Sequence, residues 1–195
     1  MLIIDATVAT FFLLVGINYS TRLIGLHQRD GKDRIFYGEV GSSTWLIRWT
    51  FNLFRAAIAS LLILRLFFES VDTHVIFTFT LPGEAVIRWL GVFLLLVSGG
   101  LISYLHAFMG KSWSSGINND FTLVDTGPYA RSRNPMFLAI MLGMLGLTLS
   151  IPSAFTLLSL VVGVIAITRQ AVEEEKKLMH IPSYISYMRR TPRWL

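Results

Sequence analysis

The sequence predicts an all-α integral membrane protein with five transmembrane helices, the last two forming a short helical hairpin. Three observations predict it. The 195 residues are 53% hydrophobic and only 15% charged, well under the roughly 25% charge of a soluble domain. The apolar residues lie in long uninterrupted runs, which points to lipid as the solvent. The basic residues gather in alternate loops, as they do in multi-pass membrane proteins.

The first run, 2–26, is nearly all apolar, with Asp5 near its start and Asn18 and Arg22 toward its end. About 20 residues at 1.5 Å each cross a hydrocarbon core of roughly 30 Å. No basic stretch precedes it and no small-residue cleavage site stands out, so it is read as a retained span and not a signal peptide. A polar, glycine-containing loop covers 27–43.

The second span is 44–68, with Arg48 and Trp49 as interfacial anchors and Asn52 and Arg55 deeper. The segment 69–84 ends in Leu81-Pro82-Gly83, a turn signal. The third span, 85–108, contains Gly99-Gly100, which would allow close helix packing and would permit dimerisation. The long polar stretch 109–135 follows. The fourth span, 136–150, has about 15 residues, roughly 22 Å of helix, which is short for a crossing. Ile151-Pro152-Ser153 makes a tight turn with Ser153 as N-cap. The fifth span, 154–168, runs on without a break to 179, and a basic, aromatic tail ends the chain. Two regions result: 1–84 holds the first two helices and their loops, and 85–195 holds helices three to five, the loop 109–135 and the tail.

Orientation follows from lysine and arginine near the span ends. The loop 27–43 carries three, the stretch 109–135 three and the tail from 169 six, whereas 69–84 and 151–153 carry none. The expectation is an N-terminus outside and a C-terminus in the cytoplasm, in an endoplasmic-reticulum or bacterial or archaeal plasma membrane. The net charge of +5 is then topological, and no nucleic-acid partner is expected. With no cysteine, disulfides, thiolate metal sites and cysteine nucleophiles are excluded. The four histidines are far apart and show no ligand spacing, so no metal is expected.

The stretch 109–135 and the tail share one side and flank the short hairpin, where a water-soluble cofactor could meet a lipid-embedded substrate. The residues there run Leu123-Val124-Asp125-Thr126-Gly127-Pro128-Tyr129-Ala130-Arg131-Ser132-Arg133-Asn134-Pro135-Met136-Phe137. Downstream come Glu174-Glu175-Lys176-Lys177-Leu178, then Tyr184, Tyr187, Arg189, Arg190 and Pro192. This constellation resembles the isoprenylcysteine carboxyl methyltransferases and the related phospholipid methyltransferases. Met109-Gly110-Lys111-Ser112-Trp113-Ser114 also looks like that family's approach to the loop. The resemblance covers roughly 85–195. The first two spans are similar only in being membrane helices.

The resemblance implies an S-adenosylmethionine-dependent methyltransferase that releases S-adenosylhomocysteine and acts on a lipidic or prenylated acceptor within the membrane lipids, with no obligate protein partner. The first choice of acceptor is the C-terminal carboxylate of a prenylated cysteine. A phospholipid amine is the alternative, and a non-catalytic membrane protein the rival from another class. Against that rival, no internal repeat is visible and the polar residues gather on one side. A carboxylate acceptor is ionised near neutral pH, so catalysis reduces to alignment and exclusion of water.

Two departures from the family pattern stand out: Asn134 replaces a histidine and Phe137 a tyrosine. The first argues that this position is not a general base. Cofactor contacts are expected from Asn118, from Thr122, Leu123 and Val124 as backbone groups and an apolar wall, and from Tyr129, Asn134, Pro135 and Phe137. Alone, the glutamates 173–175 are a solvated helix end, with Glu173 facing Lys177. Taken with the motif, one of them faces the cofactor, and alignment with the family points to Glu174. Arg133 and Pro135 are equally well read as a membrane anchor and a helix start. Arg169 is the candidate catalytic residue, anchoring an acceptor carboxylate, or else a partner of Glu173. Arg55 is a weaker candidate that could snorkel, and His106 is read as interfacial.

Overall fold

In a computed structural model of the chain, which describes residues 2–31, 38–110 and 123–195, the fold is helical as expected. The helices are α1 (Leu2–Asp30), α2 (Ser43–Phe67), a short α3 (Ser70–His74), α4 (Glu84–Met109), α5 (Pro135–Ser150), α6 (Ala154–Leu178) and α7 (Pro182–Arg190). Of these, α1, α2, α4 and α6 are long and apolar enough to cross a membrane, and α5 is a shorter apolar helix of 16 residues. Large apolar side chains such as Leu13, Leu14, Phe93, Leu96, Leu158 and Val161 point outward, as lipid-facing residues do.

Local chemistry sets the ends. Ser42 Oγ accepts from Trp45 N at 3.2 Å and caps α2. Ser153 Oγ accepts from Thr156 N at 3.2 Å and caps α6, as its place after a proline suggests. Gly83 holds φ +70° ahead of α4, and Pro135 occupies the first turn of α5, where its missing N–H costs nothing.

The α4–α5 pair is the tightest seam. A Cβ on Gly91 would lie 2.4 Å from Ser150 N, and one on Gly146 would lie 2.8 Å from Leu95 N. Ser98 donates across the seam to Ala139 O at 2.7 Å. Small residues thus bring two backbones together, the usual device of membrane helices. The glycines responsible are Gly91, Gly143 and Gly146, whereas Gly99 meets the ring of Phe11 and Gly100 meets nothing within 4 Å.

One end of the bundle, where the N-terminus lies, is closed by buried charge. Asp5 on α1 pairs with Arg65 on α2 at 3.2 Å and Arg88 on α4 at 2.9 Å. Arg65 also holds Asp72 on α3 through Nη2 and Oδ2 at 3.0 Å. Arg88 Nε donates to Ser150 O at 2.9 Å, tying in α5. A cluster of Val8, Leu62, Ile76, Val92, Leu95 and Leu147 packs beneath. The segment after α3 covers this end by pairing with the α5–α6 turn, through Phe79 N to Pro152 O and Ala154 N to Phe77 O, both at 3.1 Å. That leaves the other end, where α4 and α6 finish and α5 and α7 begin, as the place where loop and tail meet.

Candidate active site at the C-terminal end of the bundle

The loop after residue 122 enters the bundle through one turn of 3-10 helix, Gly127–Ala130. Gly127 has φ +58°, and a Cβ there would strike the Phe108 ring at 2.5 Å, so only glycine fits. The turn delivers Tyr129 inward. Its ring stacks on Phe108 with centroids 6.5 Å apart, and its hydroxyl donates to Met109 Sδ at 2.9 Å. Burial, with Tyr187 and Glu174 nearby, raises the pKa of the Tyr129 phenol, so it stays a neutral donor. Tyr187 on α7 is fully buried and donates to the Tyr129 carbonyl at 2.6 Å. Burial pushes its pKa up to about 12.

Glu175 is the hub that holds loop and tail together. It is 3% exposed. Arg193 grips it with two hydrogen bonds, Nε to Oε1 at 3.0 Å and Nη2 to Oε2 at 2.8 Å. Arg133 Nη1 lies 3.2 Å from Oε1. The backbone follows the side chains: Arg133 N donates to Pro192 O at 2.9 Å. Ser132 Oγ and Asn134 Nδ2 each donate to Arg193 O at 3.2 Å. Arg190 adds an exposed ion pair with Asp125. A buried carboxylate needs such partners to offset its lost hydration.

Glu174, one residue on and so about 100° around the helix, has different surroundings. It accepts from Gln170 Nε2 at 2.6 Å and lies 3.9 Å from Arg48 Nη2 on α2. Lys177 donates to Thr44 Oγ1 at 3.4 Å beside it. Gln170 is 4% exposed, and its Oε1 has no donor among the described residues.

The sequence-derived site residues fall into three groups. Leu123, Val124, Tyr129, Asn134, Pro135 and Glu174 gather at this end. Leu123 packs on the Leu178–Tyr184–Tyr187 cluster and Val124 on Leu105, Tyr129 and Ala139. Phe137 sits half-buried in the first turn of α5. Arg169 is exposed, about 140° around α6 from Glu174. Asn118 and Thr122 lie outside the described residues. Glu173 pairs with Lys176 at 2.9 Å instead of Lys177. Arg55 is exposed and bonds Asn52 at 2.7 Å, while His106 is buried.

Sequence reasoning missed Gln170 and Arg48 as neighbours of Glu174, and it missed Glu175 as the clamp. For Gln170 a signal existed: it is a polar residue one turn before Glu174 on the same face of α6.

A model of the phospholipid methyltransferase family matches residues 86–181, from the start of α4 to the turn before α7. The cobalt-zinc-cadmium resistance protein CzcN of Cupriavidus metallidurans is 30% identical over 113 residues, 54% of this chain and 52% of that protein. The chain therefore spans about half the length of the curated relative it matches. No solved structure matches it significantly. Residues 86–181 thus carry the pattern of the phospholipid methyltransferase family, which includes the isoprenylcysteine carboxyl methyltransferases, and this bears out the resemblance read from the sequence.

Proposed function

We propose that this chain is an S-adenosylmethionine-dependent methyltransferase with its cofactor site at the C-terminal end of the bundle, facing the cytoplasm. One observation carries the reading. Two segments that are distant in sequence, 123–137 and 173–193, meet there around Glu175 and Tyr187. The family match, which implies a membrane methyltransferase, spans the whole of the first segment and residues 173–181 of the second.

The residues at this end fit such a cofactor. Glu174 and Gln170 present acceptor oxygens, Tyr129 a neutral hydroxyl, and Leu123 and Val124 an apolar wall. When bound, the cofactor supplies an electrophilic methyl group on a sulfonium. The chain's part is to bind, orient and exclude water. Tyr129 and Glu174 hold the cofactor, with Asn134 fixing the loop through Arg193 O. Arg169 orients the acceptor.

The acceptor we favour is the C-terminal carboxylate of a prenylated cysteine, because a carboxylate is ionised near neutral pH and needs no general base. The match to the phospholipid methyltransferase family favours a second reading, a phospholipid amine. Calorimetric titration of the purified protein with S-adenosylhomocysteine tests the class, and binding is expected. Methyl transfer to a prenylcysteine or to phosphatidylethanolamine then separates the acceptors. Absence of binding by a folded protein overturns the reading.

A further inference from the structure

Gln170 is buried in α6, and its two amide atoms are unequal. Nε2 faces Glu174 Oε1 at 2.6 Å. Against a carboxylate at Glu174, the reversed amide would set two acceptors against each other. Oε1 is then a buried carbonyl oxygen with no donor among the described residues. Leaving such an oxygen unpaired is costly, and native structures rarely do so without a ligand, water or function behind it. It adjoins the carboxylate assigned above to the cofactor.

The charge nearby says what kind of donor fits. Glu174 already faces Arg48, with Lys177 close at hand. An ammonium group arriving here would meet two cations and one shared anion. A neutral O–H or N–H donor meets no such opposition. On the methyl donor, the neutral donors are the ribose hydroxyls and the exocyclic amine of adenine.

We propose that Gln170 is a specificity-determining contact, its Oε1 accepting a hydrogen bond from a neutral donor on the nucleoside part of the cofactor, while its Nε2 holds Glu174 in place. The proposal rests on the methyltransferase reading and goes beyond it by naming the residue and the part of the ligand.

The test is calorimetric titration of the full chain with S-adenosylhomocysteine and three analogues, lacking the 2′-hydroxyl, the 3′-hydroxyl or the adenine amine. Wild type is expected to lose about tenfold in affinity, roughly 1.4 kcal/mol, with at least one analogue. Gln170→Met keeps side-chain length but removes the acceptor. It should bind S-adenosylhomocysteine about tenfold more weakly and no longer discriminate against that analogue. Gln170→Leu serves the same purpose should the methionine variant not fold. Equal weakening for all four ligands, with discrimination intact, would mean that Gln170 only positions Glu174 and would overturn the proposal. Unchanged affinity and discrimination would overturn it too, with the methyltransferase reading still standing. Failure of wild type to bind S-adenosylhomocysteine would instead remove that reading, and this inference with it.

Discussion

Glu174 and Glu175 are chemically identical neighbours whose environments assign them different work. Glu175 is enclosed by Arg133 and Arg193. Removing one partner of a buried pair costs about 3–5 kcal/mol. Because the Arg193 side chain is 37% exposed, the lower end, about 3 kcal/mol, is expected for Glu175→Ala, measured by thermal melting in micelles. Glu174→Ala should cost less, about 1 kcal/mol from the orphaned Gln170 amide, and should weaken S-adenosylhomocysteine binding by about tenfold. Tyr187 ties the same clamp to pH. Its folded pKa is raised to about 12, above the ordinary value near 10. Its contribution to stability is therefore complete below about pH 10 and is lost as pH rises toward 12. Tyr129 and Tyr184 are shifted the same way. Tyrosinate absorbance and melting, followed together, should show the tail releasing across that window, and Tyr187→Phe should shrink the dependence. Arg169 stands apart from this clamp. If it orients an acceptor carboxylate, Arg169→Lys should slow methyl transfer while cofactor affinity holds, because a point charge cannot replace the guanidinium fork. Normal turnover of a prenylcysteine by both Arg169→Lys and Arg169→Ala would send that role elsewhere.

At the scale of elements, the glycines give the sharpest contrast. A Cβ at Gly91 would press on backbone, Ser150 N at 2.4 Å and Gly146 O at 2.7 Å, so the helices must part. Gly91→Ala is expected to cost about 1–3 kcal/mol, the usual range for overpacking. Gly100→Ala should be neutral or slightly stabilising, since nothing lies within 4 Å and alanine favours the helix. Parallel melting of the two variants checks this. The contrast also explains what the sequence could convey. Apolar runs and caps located the long helices to within a few residues and the α5–α6 hairpin through Pro152 and Ser153. Adjacent Gly99-Gly100 marked α4 as a packing helix, but composition does not say which face meets which partner. The seam uses Gly91, about two turns away, and Ser98, the residue next to Gly99 but on another face. In the candidate site, the motif 123–137 and the glutamate run were legible as a pair. That Glu175 clamps the tail, leaving Glu174 to Gln170 and Arg48, depends on rotation about α6, which the sequence of three glutamates leaves open. The residues 70–74 and 182–190 are helical because Asp72, Tyr184 and Tyr187 are held by distant partners.

For the whole molecule, charge has two unlike distributions. The loops and tail that carry lysine and arginine all emerge at the end where α7 lies. The opposite end holds Arg65 and Arg88, buried against Asp5, Asp72 and Glu84. These two arginines are matched by carboxylates inside the fold, so they add little net charge to that face. The asymmetry that orients a chain in the membrane counts unmatched cations near span ends, and on that rule the α7 end is expected in the cytoplasm. If α5, with 16 residues or about 24 Å of helix, makes a fifth crossing beside the four long helices, the two termini are expected on opposite sides. The chain offers a clean test because it contains no cysteine. Thr73 is exposed on α3, and Leu195 is exposed at the tail. Thr73→Cys should react with a membrane-impermeant maleimide in intact cells, and Leu195→Cys only after the membrane is permeabilised. Labelling of both from one side would mean that α5 does not cross and the number of spans is even. Labelling in the reverse order would keep the five crossings and turn the candidate site outward, away from a cytoplasmic methyl donor.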